Sequence, residues 1–595
     1  MTSPKSEYQQ RLTARQSALT ATESISRRYW LWRRVSFIVI PILIVLSIED
    51  YVTPLLIAVP VLAYLILMIR HQKVMRAIDH YRRAVTYYEN CLARLDDEWI
   101  GRGVTGENLA VAGHPYAADL DIFGQGSLFE LLCRARTRAG EGRLASWLLA
   151  PASPATIRIR QQAIAELRER LDLREDLALL GDDVRSAIDD RELVKWGEAA
   201  PTRVSPLVPL MAAILGLTTL TAVILWIAQG YRTFALGAIF IEAIFIFIYR
   251  QRVGLVIAAV DRPGRDLGLL AGILARIEAE PLHGGPLAEI RRRLEVDGEP
   301  PSRQIARLSR LIEILDSTRN QFFAPFAFVL LVPTQIALAI ERWRIRSGSS
   351  IAPWIEAVAE LEALSSLAGF AFENPDHVFA EMVEESSLGA VYEARALGHP
   401  LLPSARCVRN DIALGGARQV LIVSGSNMSG KSTMMRTIGI NAVLAFAGAP
   451  VRARQLRLSP LSIGASIQIQ DSLQGGASRF YAEITRLKQI VELTRGERPL
   501  LFLLDEILSG TNSHDRRIGA EAIIRGLVER GAIGLTTTHD LALTRMVEPL
   551  GERAANVHFE DHLEDGKMVF DYRMQPGIVT HSNALELMRA VGLEV

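Results

Sequence analysis

Apolar positions cluster in two places along the chain. Val35–Ile48 is apolar over 14 residues and Tyr51–Ile69 over 19, with Glu49 and Asp50 between them. As a helix the second run spans about 28 Å at about 1.5 Å per residue, close to a bilayer core of about 30 Å. The first run is short by itself, and Tyr29-Trp30-Leu31-Trp32 extends it with aromatics that favour a membrane interface. Leu207–Ala228 and Thr233–Tyr249 form a second pair around Gln229-Gly230-Tyr231-Arg232. Each pair predicts a transmembrane helical hairpin. Arg27, Arg28, Arg33 and Arg34 precede the first pair, and Arg70, Lys73 and Arg76 follow it. Lys195, Arg203, Arg250 and Arg252 flank the second. Positive outer flanks predict that all four ends face the cytoplasm. A cleaved signal peptide is disfavoured, because the first run starts late and no small-residue cleavage pattern follows. Glu242, inside the last span, reads as a carboxyl packed against other helices or protonated; an ion path would need a partner that the sequence does not identify.

Outside these runs the pattern changes twice. From Ser127 to about 204, and again from 250 to 390, apolar residues recur at helical spacing, broken at Pro151-Ala152-Ser153-Pro154, Gly284-Gly285-Pro286 and Gly298-Glu299-Pro300-Pro301. Phe322–Ile340 is apolar but interrupted by Pro325, Pro333, Thr334 and Gln335, and is expected to be a buried core helix. From about 398, strand and helix signals alternate, the mark of an α/β layer with a parallel sheet. The expected organisation is a polar tail and first hairpin over 1–98, a helical region over 99–390 with the second hairpin inserted, and an α/β domain over 391–595. The charge balance, 66 basic against 66 acidic residues, argues against an overall cationic nucleic-acid binder. With 49% hydrophobic and 22% charged residues the chain is not mainly disordered. Cys91, Cys133 and Cys407 are too few and too scattered for a disulfide framework or a zinc cluster.

The strongest chemistry lies in the last third. Gln419–Val423 reads as a buried strand and runs into Gly425-Ser426-Asn427-Met428-Ser429-Gly430-Lys431-Ser432-Thr433, a phosphate loop. Its glycines let successive N–H groups turn toward phosphate oxygens, and the following helix offers its positive end. In such a loop Lys431 reaches the β- and γ-phosphates of a nucleotide, and the Ser432 hydroxyl binds Mg²⁺. Leu500–Leu504 is a second apolar strand, ending in Asp505-Glu506. Asp505 at that tip can hold the Mg²⁺ shell as ligand or through water, and Glu506 can orient or deprotonate the attacking water. Ala532–Thr537 is a third strand, ending in Thr538-His539-Asp540. His539 can sense the γ-phosphate or hold the water, or serve as an ordinary capping histidine.

At these residues the chain resembles the MutS family of ATPases. Asn427-Met428 between the loop glycines is distinctive of that family, although Ser426 stands where the family usually has proline. Ile463-Gly464-Ala465-Ser466 and Ser478-Arg479-Phe480-Tyr481-Ala482-Glu483-Ile484 are similar to the family's stretch between the phosphate motifs. Asp505-Glu506-Ile507 and Gly510-Thr511-Asn512-Ser513 are similar to its metal strand and trans-acting loop, with Ser509 and Asn512 departing from the usual Arg and Ser. Gly398-His399-Pro400 and Asn410-Asp411 also fit, and Arg136–Leu149 resembles the start of the family's helical lever. The resemblance implies ATP and Mg²⁺ as ligands, and catalysis by Lys431, Glu506 and His539. It also implies a homodimer in which Asn512 and Ser513 complete the partner's site, and a closing helical segment that takes in Tyr572-Arg573-Met574, Pro576-Gly577 and Ser582–Leu593.

Two departures bear on function. A membrane hairpin stands where the family's mismatch-reading module would lie, and the second hairpin, between Trp196 and Asp261, stands where its DNA clamp is inserted. Basic clusters at Arg291-Arg292-Arg293, at Arg303, Arg307 and Arg310, and at Arg342, Arg344 and Arg346 are candidates for DNA contact, for anionic lipid headgroups, or for plain solvated helix faces. The expectation is a membrane-anchored ATPase with its nucleotide domain in the cytoplasm, whose ATP state moves a helical lever. Binding of mismatched or branched DNA is the alternative. A transporter ATPase fits less well, since Lys431 and Asp505 are only 74 positions apart (505 − 431), little room for the inserted helical subdomain of transporters.

Overall fold

The computed structural model describes residues 3–184, 190–202, 205, 207–282, 284–295, 298–318, 324–383, 389–426, 429–468, 479–539, 542–564 and 567–579. Contacts divide the chain into two compact units, Met1–Val104 with Phe372–Pro375, and Thr105–Ala371 with the residues from Asp376 onward.

The first unit is a long antiparallel hairpin of α1 (Pro4–Ile48) and α2 (Ala58–Leu95). Ser3 caps α1 by accepting from the Ser6 N–H at 3.2 Å, and Pro4 takes the first turn, where a missing N–H costs nothing. The polar start of the chain, read as a helical or loose tail, is helical from Pro4. The two ends of the hairpin differ in chemistry. Near the chain start, Tyr8, Tyr88 and Cys91 are buried, and Arg94 Nε meets Glu373 at 3.1 Å. Toward the turn the apolar side chains face outward, Phe37 and Leu62 among them. Arg34 lies 3.6 Å over the Trp30 ring where the polar half gives way to the apolar one.

The second unit begins with a loop-rich stretch and the helices α3 (Leu128–Leu132), α4 (Arg138–Leu149), α5 (Pro154–Arg168), α6 (Leu171–Val184) and α7 (Asp190–Glu198). Next come α8 (Val208–Gln229) and α9 (Arg232–Ala279), joined at Gly230, whose φ of 80° closes the first helix. Among the described residues four helices, α1, α2, α8 and the first part of α9, are long and apolar enough to cross a membrane. Glu242 is buried in the second hairpin, as is Thr219. After α10 (Gly285–Leu294) and α11 (Pro301–Ser317), the stretch expected to be one core helix is instead two, α12 (Ala324–Val329) and α13 (Val332–Ser347). Pro333 must sit in the first turn of a helix, and Leu331 before it takes a left-handed φ of 50°. Leu331 and Leu338 pack against Val208, Ala212 and Phe245 of the second hairpin, while Phe326 and Phe328 are exposed.

After α14 (Ile351–Glu373), strands begin at Val378, earlier than the alternation at 398 indicates. They are β1 (Val378–Phe379), β2 (Glu381–Met382), β3 (Val391–Leu397), β4 (Asn410–Gly415) and β5 (Val420–Ser424). Then follow α15 (Lys431–Ala447), β6 (Pro450–Val451), β7 (Gln455–Leu458), β8 (Ser462–Ser466), α16 (Arg479–Leu493) and β9 (Leu500–Leu504). The domain closes with α17 (Ser513–Glu529), β10 (Ile533–Thr538), α18 (Val547–Leu550), β11 (Ala554–Glu564) and β12 (Lys567–Pro576). The main sheet runs β12-β11-β5-β10-β9-β8, parallel from β8 through β11 and antiparallel at the β11–β12 edge. A separate four-stranded sheet, β2-β7-β3-β4, was not expected. Val420, Ile422, Phe502 and Leu504 form the centre of the core beneath α16 and α17.

Asp119, in the loop-rich stretch, ties several of these elements together. Its carboxylate accepts from the Ile467 and Gln468 N–H groups at 2.7 and 2.9 Å, and from Arg486 at 2.6 Å. Arg436 of α15 donates to its carbonyl at 3.1 Å.

Candidate active site

Strands β5, β10 and β9 are neighbours in the sheet, and all three end on the same side because they are parallel. That order brings the three sequence motifs together at the carboxyl ends of the strands, where open α/β sheets bind ligands.

The loop after β5 turns at Gly425 (φ 150°), where a Cβ would stand 3.0 Å from the Phe559 carbonyl oxygen. Ser429 Oγ donates to the Ser426 carbonyl at 2.8 Å, and Gly430 (φ 103°) leads into α15. A Cβ there would meet the Tyr572 ring at 3.0 Å. Both glycines are thus required by conformation and by close approach. Lys431 is buried and its Nζ donates to the Gly425 and Ser426 carbonyls at 2.8 and 2.7 Å, which keeps the ammonium against the loop. Thr433 lines the cleft beside the loop. Asn427 and Met428 lie outside the described residues, as do Ser478, Asp540 and the segment Ser582–Leu593; Tyr572–Met574 and Pro576, expected in the closing helical segment, lie instead in strand β12, held in the sheet by its pairing with β11.

Ser432 and Asp505 are brought together: the hydroxyl donates to Asp505 Oδ2 at 2.5 Å. The other carboxylate oxygen accepts from Thr537 Oγ1, which in turn accepts from the Glu506 N–H at 3.0 Å. Glu506 has a left-handed φ of 45°, a conformation that costs a non-glycine residue energy and turns the chain sharply beside the acid. His539 Nδ1 lies 3.2 Å from Glu506 Oε1. Asn512 and Ser513 belong to the start of α17: Asn512 accepts from the Asp515 N–H at 2.9 Å and caps that helix.

Three contributors escaped the sequence reading. Thr537 joins the two acids from the neighbouring strand. Arg516, in the first turns of α17, is buried and reaches both the Ile507 carbonyl (Nε, 3.2 Å) and His539 Nε2 (Nη1, 3.5 Å). A basic residue at a helix N-terminus opposes the helix dipole, and that mismatch was the available signal of a tertiary partner. Tyr572 (φ 54°) borders a cleft of about 470 Å³ next to Gly430, with Leu397, Val408, Met434 and Phe559 in its walls. Asn410 fixes the strand that carries it, donating to the Tyr572 carbonyl at 3.0 Å and accepting from the Met574 N–H at 2.8 Å. His399 also faces this cleft; burial, with Arg436 and Arg452 nearby, pushes its imidazole down to about 4, so it is neutral at pH 7.

The donor set fits the groups the motifs imply. Hydroxyl and carboxylate oxygens side by side suit a hard divalent cation such as Mg²⁺. The buried lysine on a glycine-turned loop at a helix N-terminus suits phosphate, and the apolar cleft beside it has room for a nucleoside. The basic clusters are largely engaged elsewhere. Arg344 is buried in an ion pair with Glu341 at 2.7 Å, Arg293 meets Glu360 at 2.7 Å and Arg307 meets Glu299 at 2.7 Å.

Fold and site together define a phosphate-loop nucleotide-binding domain behind a mostly helical region. Residues 421–594 match the family model for MutS domain V. The chain is also similar to "Endonuclease MutS2" of Thermus thermophilus, with 27% identity over 303 residues, 48% of this chain and 38% of that protein. The likeness to the MutS family thus rests on the C-terminal α/β domain, which matches MutS domain V. The chain spans well under two thirds of the length of that curated relative.

Proposed function

We propose that this protein is a membrane-anchored MutS-family ATPase in which nucleotide binding and hydrolysis switch the helical region that carries the second hairpin. The observation that carries the reading is the contact of Ser432 with Asp505 at the tips of adjoining elements, beside the buried Lys431. Lys431 and the loop N–H groups stabilise charge on the phosphates. Ser432 and Asp505 hold Mg²⁺, which supplies charge neutralisation when bound. Glu506, with His539 against its carboxylate, orients the water and takes up its proton. The apolar cleft with Tyr572 receives the adenine base.

Anchoring is supported by four apolar helices whose outward-facing side chains lack polar cover, and by the arginines at the polar ends of both pairs. The proposed assembly is a homodimer in which Asn512 and Ser513 approach the partner's nucleotide, with the ATPase domain in the cytoplasm. Lys431→Ala or Glu506→Ala should abolish hydrolysis by the purified protein; wild-type turnover in either variant would refute the assignment.

A second reading, ATP-dependent binding of mismatched or branched DNA, is favoured by the similarity to a MutS2 endonuclease. The pairing of the arginine clusters with acids weighs against it. A gel-shift comparison of paired and mismatched duplexes at stated salt separates the two, because phosphate contacts alone do not discriminate between them.

A further inference from the structure

We propose that Arg516 is a positioning residue that holds His539 as one neutral tautomer, with its proton on Nδ1 facing Glu506. The inference rests on the ATPase reading only for its consequence in turnover; its geometry stands independently. A guanidinium can only donate. His539 Nε2, 3.5 Å from Arg516 Nη1, must therefore present a lone pair. The ring's hydrogen is then on Nδ1, and Nδ1 faces the Glu506 carboxylate, an acceptor, at 3.2 Å. Both neighbours select the same tautomer. The opposite tautomer sets N–H against N–H on one side and lone pair against carboxylate on the other.

The ring needs such a hold, because half of the His539 side chain is exposed (49%) and little packing restrains it. Arg516 by contrast is 8% exposed, and its Nε is tied to the carbonyl of Ile507, the residue that follows Glu506. One rigid, planar fork thus spans the backbone beside the acid and the ring that touches the acid. A lysine, with a single flexible ammonium, cannot reproduce both contacts.

The arrangement also gives His539 a role that the sequence did not suggest. With Nε2 turned to Arg516 and Nδ1–H donated to Oε1 of Glu506, the imidazole serves the carboxylate. It orients the acid through Oε1, and both ring nitrogens are engaged by protein partners.

The test uses the full-length protein with ¹⁵N-labelled histidine, the His539 signals being assigned by their loss in His539→Asn. Wild type should show a protonated Nδ1 and an unprotonated Nε2. Arg516→Gln should show mixed or reversed tautomers, and Arg516→Lys should fail to restore the wild-type pattern. In ATPase assays Arg516→Gln should lower kcat about 10- to 100-fold, below the loss seen when a catalytic imidazole is held in the wrong tautomer. Nucleotide Kd should stay within about twofold, and Arg516→Gln should have no further effect in a His539→Asn background. A wild-type proton on Nε2, or a full additional loss in that background, overturns the inference. If the wild type has no turnover, the proposed function falls while the nitrogen spectra still decide the tautomer.

Discussion

Glu362 offers a stability measurement whose sign and size follow from its surroundings. It lies on α14 and is 4% exposed. Its Oε1 accepts from the Arg136 N–H at 3.1 Å, and Oε2 accepts from the Thr137 N–H at 3.3 Å and from the Thr137 hydroxyl. It thereby joins α14 to the N-cap of α4. Burial raises its carboxyl from 4.5 to about 7, against the opposing pull of those donors. At about 1.4 kcal/mol per pH unit, the gap between those values corresponds to about 3 kcal/mol. The folded value exceeds the unfolded one, so this contribution is complete below about pH 4.5 and is lost as pH rises through about 7. Glu362→Gln removes the titration but turns an amide N–H₂ toward one set of donors, at a cost of about 1–2 kcal/mol. The variant should therefore be less stable than wild type at pH 5 and more stable at pH 8. Urea unfolding of the full chain in detergent, extrapolated to water at a series of pH values, measures the crossing. His399, whose lowered value makes stability fall as pH drops from about 6.5 toward 4, acts alike in both proteins and cancels in the difference. Parallel curves for the two proteins would show that Glu362 does not titrate in this range.

Tyr572→Ala should weaken Mg-ATP binding about 3- to 10-fold, the loss of one aromatic stacking contact worth about 0.5–1.5 kcal/mol, while kcat at saturation is largely kept. A fluorescence titration with ATP checks this, and an unchanged Kd would remove the cleft from the nucleotide site. In membrane fractionation the protein should remain in the pellet after an alkaline carbonate wash; its release would mean that the hairpins do not insert.

The motifs of the candidate site could be read from the sequence because each is a local pattern. Leu500–Leu504 is the strand expected, and Val420–Ser424 lies one residue from its expected place. One runs into the glycine-bounded loop with its lysine and the other into paired acids, and it is the pairing of the two motifs that points to a phosphate site. Residues whose roles depend on distant partners were not legible. The two-residue strands at 378–382 are too short for any alternation, and they form only because β6 and β7, some 70 residues away, offer edges. Tyr572 is one aromatic in an ordinary strand until β12 folds back along β11 and brings it to Gly430. The break at Leu331 could be read from Pro333, but its packing on the second hairpin could not.

Asp119 gives the domain a mechanical property of its own. One short, buried side chain grips the backbone leaving β8 and an arginine of α16, and its carbonyl is held by the helix that starts at the phosphate loop. So stiff a junction leaves little slack. If that helix tilts when its first turn takes hold of a phosphate, the stretch around residue 119 is pulled with it, and the connection works as a strain gauge on the nucleotide pocket.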